Sequence, residues 1–203
     1  MPSETVPIRS LAQIRAGYQT RTGVENRPDG SHVMVQLRDF DEHRTVLTTQ
    51  NLVRIEPGAI NPVQVLMDGD VLFLAKGARN FAFVPSDLPR PALAASYFFI
   101  LRPGPRILPS YLAWFLNLDS TKRVFSQFSG YSAHMPVVRR DVLEDVLVPL
   151  PSLNIQTKII ELDGLMRQQQ ELLGDLARQQ KNLITEACIK LATNQIIPNQ
   201  DHS

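Results

Sequence analysis

Four histidines, one cysteine and a few grouped acids are the residues here that could hold a metal, attack a carbonyl or relay a proton. Their spacing argues against each of these roles. His32, His43, His134 and His202 are scattered, and Cys188 has no second thiol in the chain to form a metal-ligand pair or a disulfide. No acid stands two residues before Lys76, Lys122, Lys158, Lys181 or Lys190, so the carboxylate-x-lysine element common in metal-dependent nucleases is missing. There is no glycine-rich phosphate loop and no Gly-x-Ser-x-Gly elbow. Asp68-Gly69-Asp70 reads as a turn before a strand. Asp141, with Glu144 three residues later, reads as a helix cap, the aspartate form of a capping box. A metal at either place is the competing reading. The chain is expected to bind rather than to catalyse, with no catalytic and no metal-binding residue assigned.

What it could bind is suggested by charge. The formal net charge is only +1. Between Val71 and Arg140, however, nine basic residues (Lys76, Arg79, Arg90, Arg102, Arg106, Lys122, Arg123, Arg139 and Arg140) stand against two acids, Asp87 and Asp119. The remaining chain is correspondingly acidic. A concentration of this kind can present a basic face to a polyanion while the molecule stays near neutral. The alternative is a scatter of solvated arginines with no common face.

Three kinds of element must position these residues. From Ile8 to about Val84 the pattern is strand-like. Val33 to Leu37 and Val71 to Leu74 are short apolar runs bounded by turn residues, while Ser10 to Ile14 fits a strand or a helical turn. Ser96 to Leu101 reads as a buried strand closed by Pro103-Gly104-Pro105. Pro109 to about Phe128 reads as one helix with Leu112, Phe115, Leu116, Val124 and Phe128 on its inner face. Ser129 to Ser132 breaks it, and Val142 to Leu150 is a strand or turn.

The last zone differs in kind. Leu153 to Leu191 has no proline, and Ile155, Ile159, Leu162, Met166, Gln169, Leu173, Leu176, Gln180, Leu183 and Ala187 follow one another in alternating steps of four and three. That is the a/d seam of a coiled coil. At 1.5 Å per residue the stretch spans roughly 58 Å, longer than one domain can use for its own core; a helix packed along its own domain is the alternative. Gln169 and Gln180 would fix register, and Gly164 and Gly174 would mark a bend or a close approach. The expected organisation is a mixed α/β domain over residues 1–151, a dimerising helix over 152–192 and a frayed tail over 193–203. An apolar fraction of 43% supplies the core. No apolar stretch is long enough to span a membrane, Met1 to Ser10 lacks the pattern of a signal peptide, and the lone cysteine fits a reducing cytoplasm.

The motifs in order carry a resemblance. Gly69-Asp70-Val71-Leu72-Phe73 followed by Lys76-Gly77-Ala78-Arg79, then Ile107-Leu108-Pro109-Ser110-Tyr111-Leu112, then Val148-Pro149-Leu150-Pro151-Ser152-Leu153-Asn154-Ile155-Gln156, resemble the recognition-domain strand, helix start and domain-to-helix junction of specificity (S) subunits of type I restriction–modification systems. Their order and spacing carry the resemblance from about Leu11 to Leu191, nearly the whole chain. Two departures stand out: Ile155 replaces the family's usual glutamate, and the chain has one recognition domain and one helix where typical S subunits have two of each. It looks like half an S subunit. The resemblance implies an α+β target-recognition domain with a coiled-coil helix, double-stranded DNA as ligand, and a DNA adenine methyltransferase subunit as partner. That partner would carry S-adenosylmethionine, and a restriction motor subunit joins in restriction complexes. It further implies that two copies pair through the helix and read a palindromic, interrupted site.

Arg, Lys, Asn, Gln and Ser in loops are the side chains that hold phosphates and read base edges. The candidates are Gln19, Arg21 and Thr22 near the N-terminus; Lys76, Arg79 and Asn80 after the Val71 strand; and Ser129, Tyr131, Ser132 and His134 after the middle helix. Arg139 and Arg140 are candidate phosphate anchors. Each could instead be an ordinary solvated residue. Two other classes compete: a protein–protein adaptor using the same fold without DNA, and a fragment of a split enzyme.

Overall fold

The computed structural model describes residues 4–20, 23–42, 46–77, 79–128 and 136–194, apart from the side chains of Phe128 and Asn194. The chain divides into two compact units, Met1–Ile160 and Glu161–Ser203. The first is mixed α/β; the second continues a single helix, α4 (Leu153–Asn194), whose first turns belong to the first unit.

Among the described residues, nine strands are arranged in three sheets. The largest contains β2 (Ala12–Ala16), β5 (Val71–Leu74), β6 (Ala82–Phe83) and β8 (Phe98–Pro103) in the order β2-β8-β5-β6, with every neighbouring pair antiparallel. The second orders β4 (Val53–Ile55), β3 (His32–Val35) and β7 (Ala92–Ala94) as β4-β3-β7, with β3 and β7 parallel. The third pairs β1 (Thr5–Pro7) with β9 (Leu147–Pro149).

Side chains alternate across a strand, so a strand buried on both faces must be apolar throughout. β5 is such a strand. Val71 and Phe73 face one cluster with Ile14, Leu101 and Tyr111, whereas Leu72 and Leu74 face another with Val33, Val35 and Ile100. The first cluster is completed by helices α1 (Pro109–Asn117), α2 (Asp119–Phe128) and α3 (Arg140–Asp145) through Leu112, Leu116, Phe125 and Leu143. The second lies between the two larger sheets. Met34 and Leu93, on the far face of the three-stranded sheet, enter a third cluster.

Several local expectations change. The chain through Ser10 to Ile14 is both things: a 3-10 turn (Ile8–Ser10) leads into β2. The strand at Val33 stops at Val35 because Leu37–Asp39 forms a turn, where the Gln36 N–H donates to the Asp39 carboxylate at 2.6 Å. The single helix from Pro109 is two, separated at Leu118, whose ψ of 139° is extended. The break follows from Asn117, whose amide donates to the Ala82 carbonyl at 2.7 Å and accepts the Ala82 N–H at 3.0 Å. The interruption resets the helical phase, so Phe125 is buried and Val124 is exposed; the Phe128 side chain lies outside the described residues. Val142 to Leu150 holds the last residues of α3 and then β9. The expected capping box there is absent: Arg139 occupies the cap, and Glu144 accepts from Arg140 at 2.7 Å.

α4 is unbroken over 42 residues, roughly 63 Å of helix. Arg167–Asp163, Arg178–Asp175 and Lys190–Glu186 pair along its surface, each worth only about 0.2–0.5 kcal/mol. Gly164 and Gly174 do not break it, and among the described residues nothing beyond the helix's own nearby backbone lies within 4 Å of where a Cβ would be. The tail beyond Asn194 is outside the described residues.

Candidate nucleic-acid interface

Register places the candidate loops. Ala16 at the end of β2 and Phe73 near the end of β5 both pair with Phe99 of β8. The two strands therefore finish at the same end of the large sheet, two strand spacings or about 10 Å apart. Gly17 donates to the Phe98 carbonyl and Ala75 to the Tyr97 carbonyl, both at 2.9 Å, before the chains turn away. Gln19 lies just beyond the first and Lys76 just beyond the second, and both are exposed. A cleft of about 770 Å³ opens beside Gln19, lined among others by Tyr18, Arg27, Glu56 and Gln64.

The segment 136–138, before α3, is tied to the turn that carries the second candidate group. Lys76 pairs with Val137 as an antiparallel bridge, Gly77 donates to the Pro136 carbonyl at 2.9 Å, and Val138 donates to Ala75 at 2.8 Å. The chain entering α3 is thus stitched to the turn after β5. Gly77 has a φ of +129°, a backbone conformation that a side chain would strain. Arg79 is exposed on the same turn. Asn80 also supports the turn: its amide donates to the Leu74 carbonyl at 2.8 Å and holds the β5–β6 connection. Arg21, Thr22, Ser129, Tyr131, Ser132 and His134 lie outside the described residues.

The basic stretch looks different in three dimensions. Among the described residues, at least five of its cations meet carboxylates from outside the stretch: Arg90 with Asp68, Arg102 with Asp70, Arg106 with Glu4, Arg139 with Asp141 and Arg140 with Glu144. The charge segregated along the sequence is therefore largely rejoined by folding. Arg139 and Arg140, the expected phosphate anchors, are exposed but engaged in this way. The Arg139 guanidinium, hydrogen-bonded to Asp141, holds that carboxyl below its usual value. Lys76 and Arg79 sit on the turn after β5, and Lys122 and Arg123 on α2.

One of these pairs explains the Gly-Asp motif. Gly69, at a φ of +82°, makes the turn, and Asp70 accepts the Met67 N–H at 2.9 Å. Asp70 is 1% exposed and takes two hydrogen bonds from Arg102, at 2.7 and 2.6 Å, which raise the Arg102 pKa above its ordinary value. No local signal links residues 32 apart, so sequence reasoning could not find this pair. Among the described residues, no group of three or more His, Cys, Asp or Glu side chains could hold a metal ion, and no helix is long and apolar enough to cross a membrane.

The seam residues of α4 divide between the two units. Ile159 packs against the domain core, together with Ile160. Ile155, Leu162, Met166, Leu173, Leu176 and Leu183 are exposed, as are Gln169 and Gln180.

Comparison of the fold with solved structures is decisive. The chain resembles an HsdS subunit from Thermoanaerobacter tengcongensis with a TM-score of 0.58 at 17% identity, over 82% of this chain and 37% of that one. It resembles the S subunit of the type I restriction–modification system from M. genitalium with a TM-score of 0.54 at 14% identity, over 93% and 45%. A chain from a structure addressing complex assembly and conformational transition of the type I system matches with a TM-score of 0.70 at 18% identity, over 100% and 51%. The chain has the fold of a type I specificity subunit. It spans about half, or less, of each of these S-subunit-fold chains. No family model and no curated protein matches its sequence, so the S-subunit likeness is one of fold.

Proposed function

We propose that the chain is a sequence-specific DNA-recognition half-subunit of a type I restriction–modification methyltransferase complex. The observation that carries this reading is the likeness of the entire chain to about half of a chain from a type I assembly. In this reading the globular unit meets double-stranded DNA with the turn after β5 and the segments beside it. The terminal helix pairs with that of a second copy, which restores two recognition domains. Two-fold symmetry then requires a palindromic, interrupted site. The chain supplies no catalytic group. Methyl transfer from S-adenosylmethionine belongs to a DNA adenine methyltransferase subunit docked on it, and cleavage to a restriction motor subunit where one joins. Such a complex works in the cytoplasm.

Binding of duplex DNA, with the methyltransferase subunit present and salt titrated, tests the reading. Phosphate contacts make log K fall steeply and linearly with log salt. No DNA binding even at low salt would contradict it. The five ion pairs that rejoin the basic stretch favour a second reading, a protein–protein adaptor on the same fold, and that outcome would support it. Methyl transfer by the purified chain alone would contradict both.

A further inference from the structure

The junction between β9 and α4 contains a fully buried amide. Gln156 has no exposed surface, and each of its hydrogen-bonding groups is engaged by backbone. Its Nε2 donates to the Arg106 carbonyl at 3.0 Å and the Pro151 carbonyl at 2.9 Å, while its Oε1 accepts the Leu108 N–H at 2.8 Å. Leu108 is the residue that caps α1, so one side chain ties the entry to α1, the Pro151 corner and the first turn of α4. Beside it the Tyr111 hydroxyl donates to the Pro149 carbonyl at 2.8 Å, and Ile159 and Ile160 pack against the same core.

An apolar side chain here would leave all three of these backbone groups without a partner, and a misplaced amide would do the same. What the amide adds is direction. All three bonds form together in only one placement of the helix start, and departures from it orphan three backbone groups at once. We propose that Gln156 is a positioning residue that fixes the first two turns of α4 on the recognition unit, and through them the gap between the two DNA half-sites. The proposal deepens the DNA-recognition reading and rests on it.

The test uses the full chain with its methyltransferase partner, comparing wild type with Gln156→Met and with the isosteric Gln156→Glu, which serves where the first fails to fold. Two readouts are needed: selection from a DNA library of half-sites separated by variable gaps, and amide hydrogen exchange at Leu108. Wild type should enrich one gap length. The variants should keep the same half-sites and single half-site affinity to within about twofold, accept several gap lengths, and exchange the Leu108 amide about tenfold faster or more. Unchanged exchange at Leu108 would overturn the clasp. Faster exchange with wild-type gap selectivity would overturn its positioning role. A wild type that enriches no DNA would instead overturn the recognition reading, leaving the exchange result to decide the clasp alone.

Discussion

Leucine occurs in two settings in this molecule. In β5, Leu72 and Leu74 are fully buried, and their partners are found in the same chain. In α4, Leu172, Leu173 and Leu176 are each 57% exposed, and Leu183 is 68% exposed. The same side chain satisfies the hydrophobic effect in one region and leaves it unsatisfied in the other. A buried strand needs continuous apolar character because both its faces are covered. A helix with an apolar stripe repeating every 3.5 residues needs a second helix. The contrast is that the domain's apolar residues find their partners within the chain, whereas the seam of α4, in the proposed arrangement, would find its partner in the helix of a second copy.

That comparison can be broken first at the ion pairs. Asp70→Ala leaves Arg102 without its partner in a largely buried site and should cost about 3–5 kcal/mol, read as a shift in the denaturation midpoint. Its counterpart in the helix, Asp163→Ala, opens a surface pair with Arg167 and should cost no more than about 0.5 kcal/mol. Comparable losses would mean that the two regions are not built differently.

The leucines give the next contrast. Leu72→Ala should destabilise the domain by about 2–5 kcal/mol at any protein concentration. Leu173→Ala should change the stability of dilute monomer by less than about 0.5 kcal/mol and matter increasingly as concentration rises. Charging the seam with Leu173→Glu and Leu176→Glu should yield monomers by sedimentation while the domain's midpoint stays unchanged.

At the proposed DNA edge, Arg79→Ala should weaken binding by about 1–3 kcal/mol if the side chain reads a base. Arg79→Ala and Lys76→Ala that each leave both affinity and salt slope untouched would remove the turn after β5 from the interface. The smallest effect concerns Asp141. Its folded-state pKa is depressed by Arg139, so its stabilisation is present above the unfolded aspartate pKa and lost as pH falls through the folded value. Asp141→Asn should therefore lower the midpoint slightly at neutral pH and have no effect in strong acid.

Much of the fold was legible because periodicity is local. β5 begins and ends at the residues its apolar run predicts, and α4 begins at Leu153, where the proline-free stretch starts. What could not be read depends on contacts distant in sequence. The helix break at Leu118 is set by Asn117 reaching Ala82, and the charge segregation dissolves because Glu4, Asp68 and Asp70 return to the basic stretch in space. The Gln156 motif was visible, but its use as a clasp was not, since Arg106 and Leu108 stand far upstream. Of the candidate loops, the sequence separates Gln19, Lys76 and Val137 widely; shared pairing with β8 and the Lys76–Val137 bridge bring their surroundings together.

The central claim is that α4 is a spacer between two recognition units. Inserting one heptad between Leu173 and Leu176 preserves the apolar stripe and lengthens the helix by about 10 Å, roughly three base pairs of B-DNA. Selection of DNA by the complex of this variant with its methyltransferase partner should return the wild-type half-sites with a gap longer by about three base pairs. Unchanged half-sites with an unchanged gap would contradict the account.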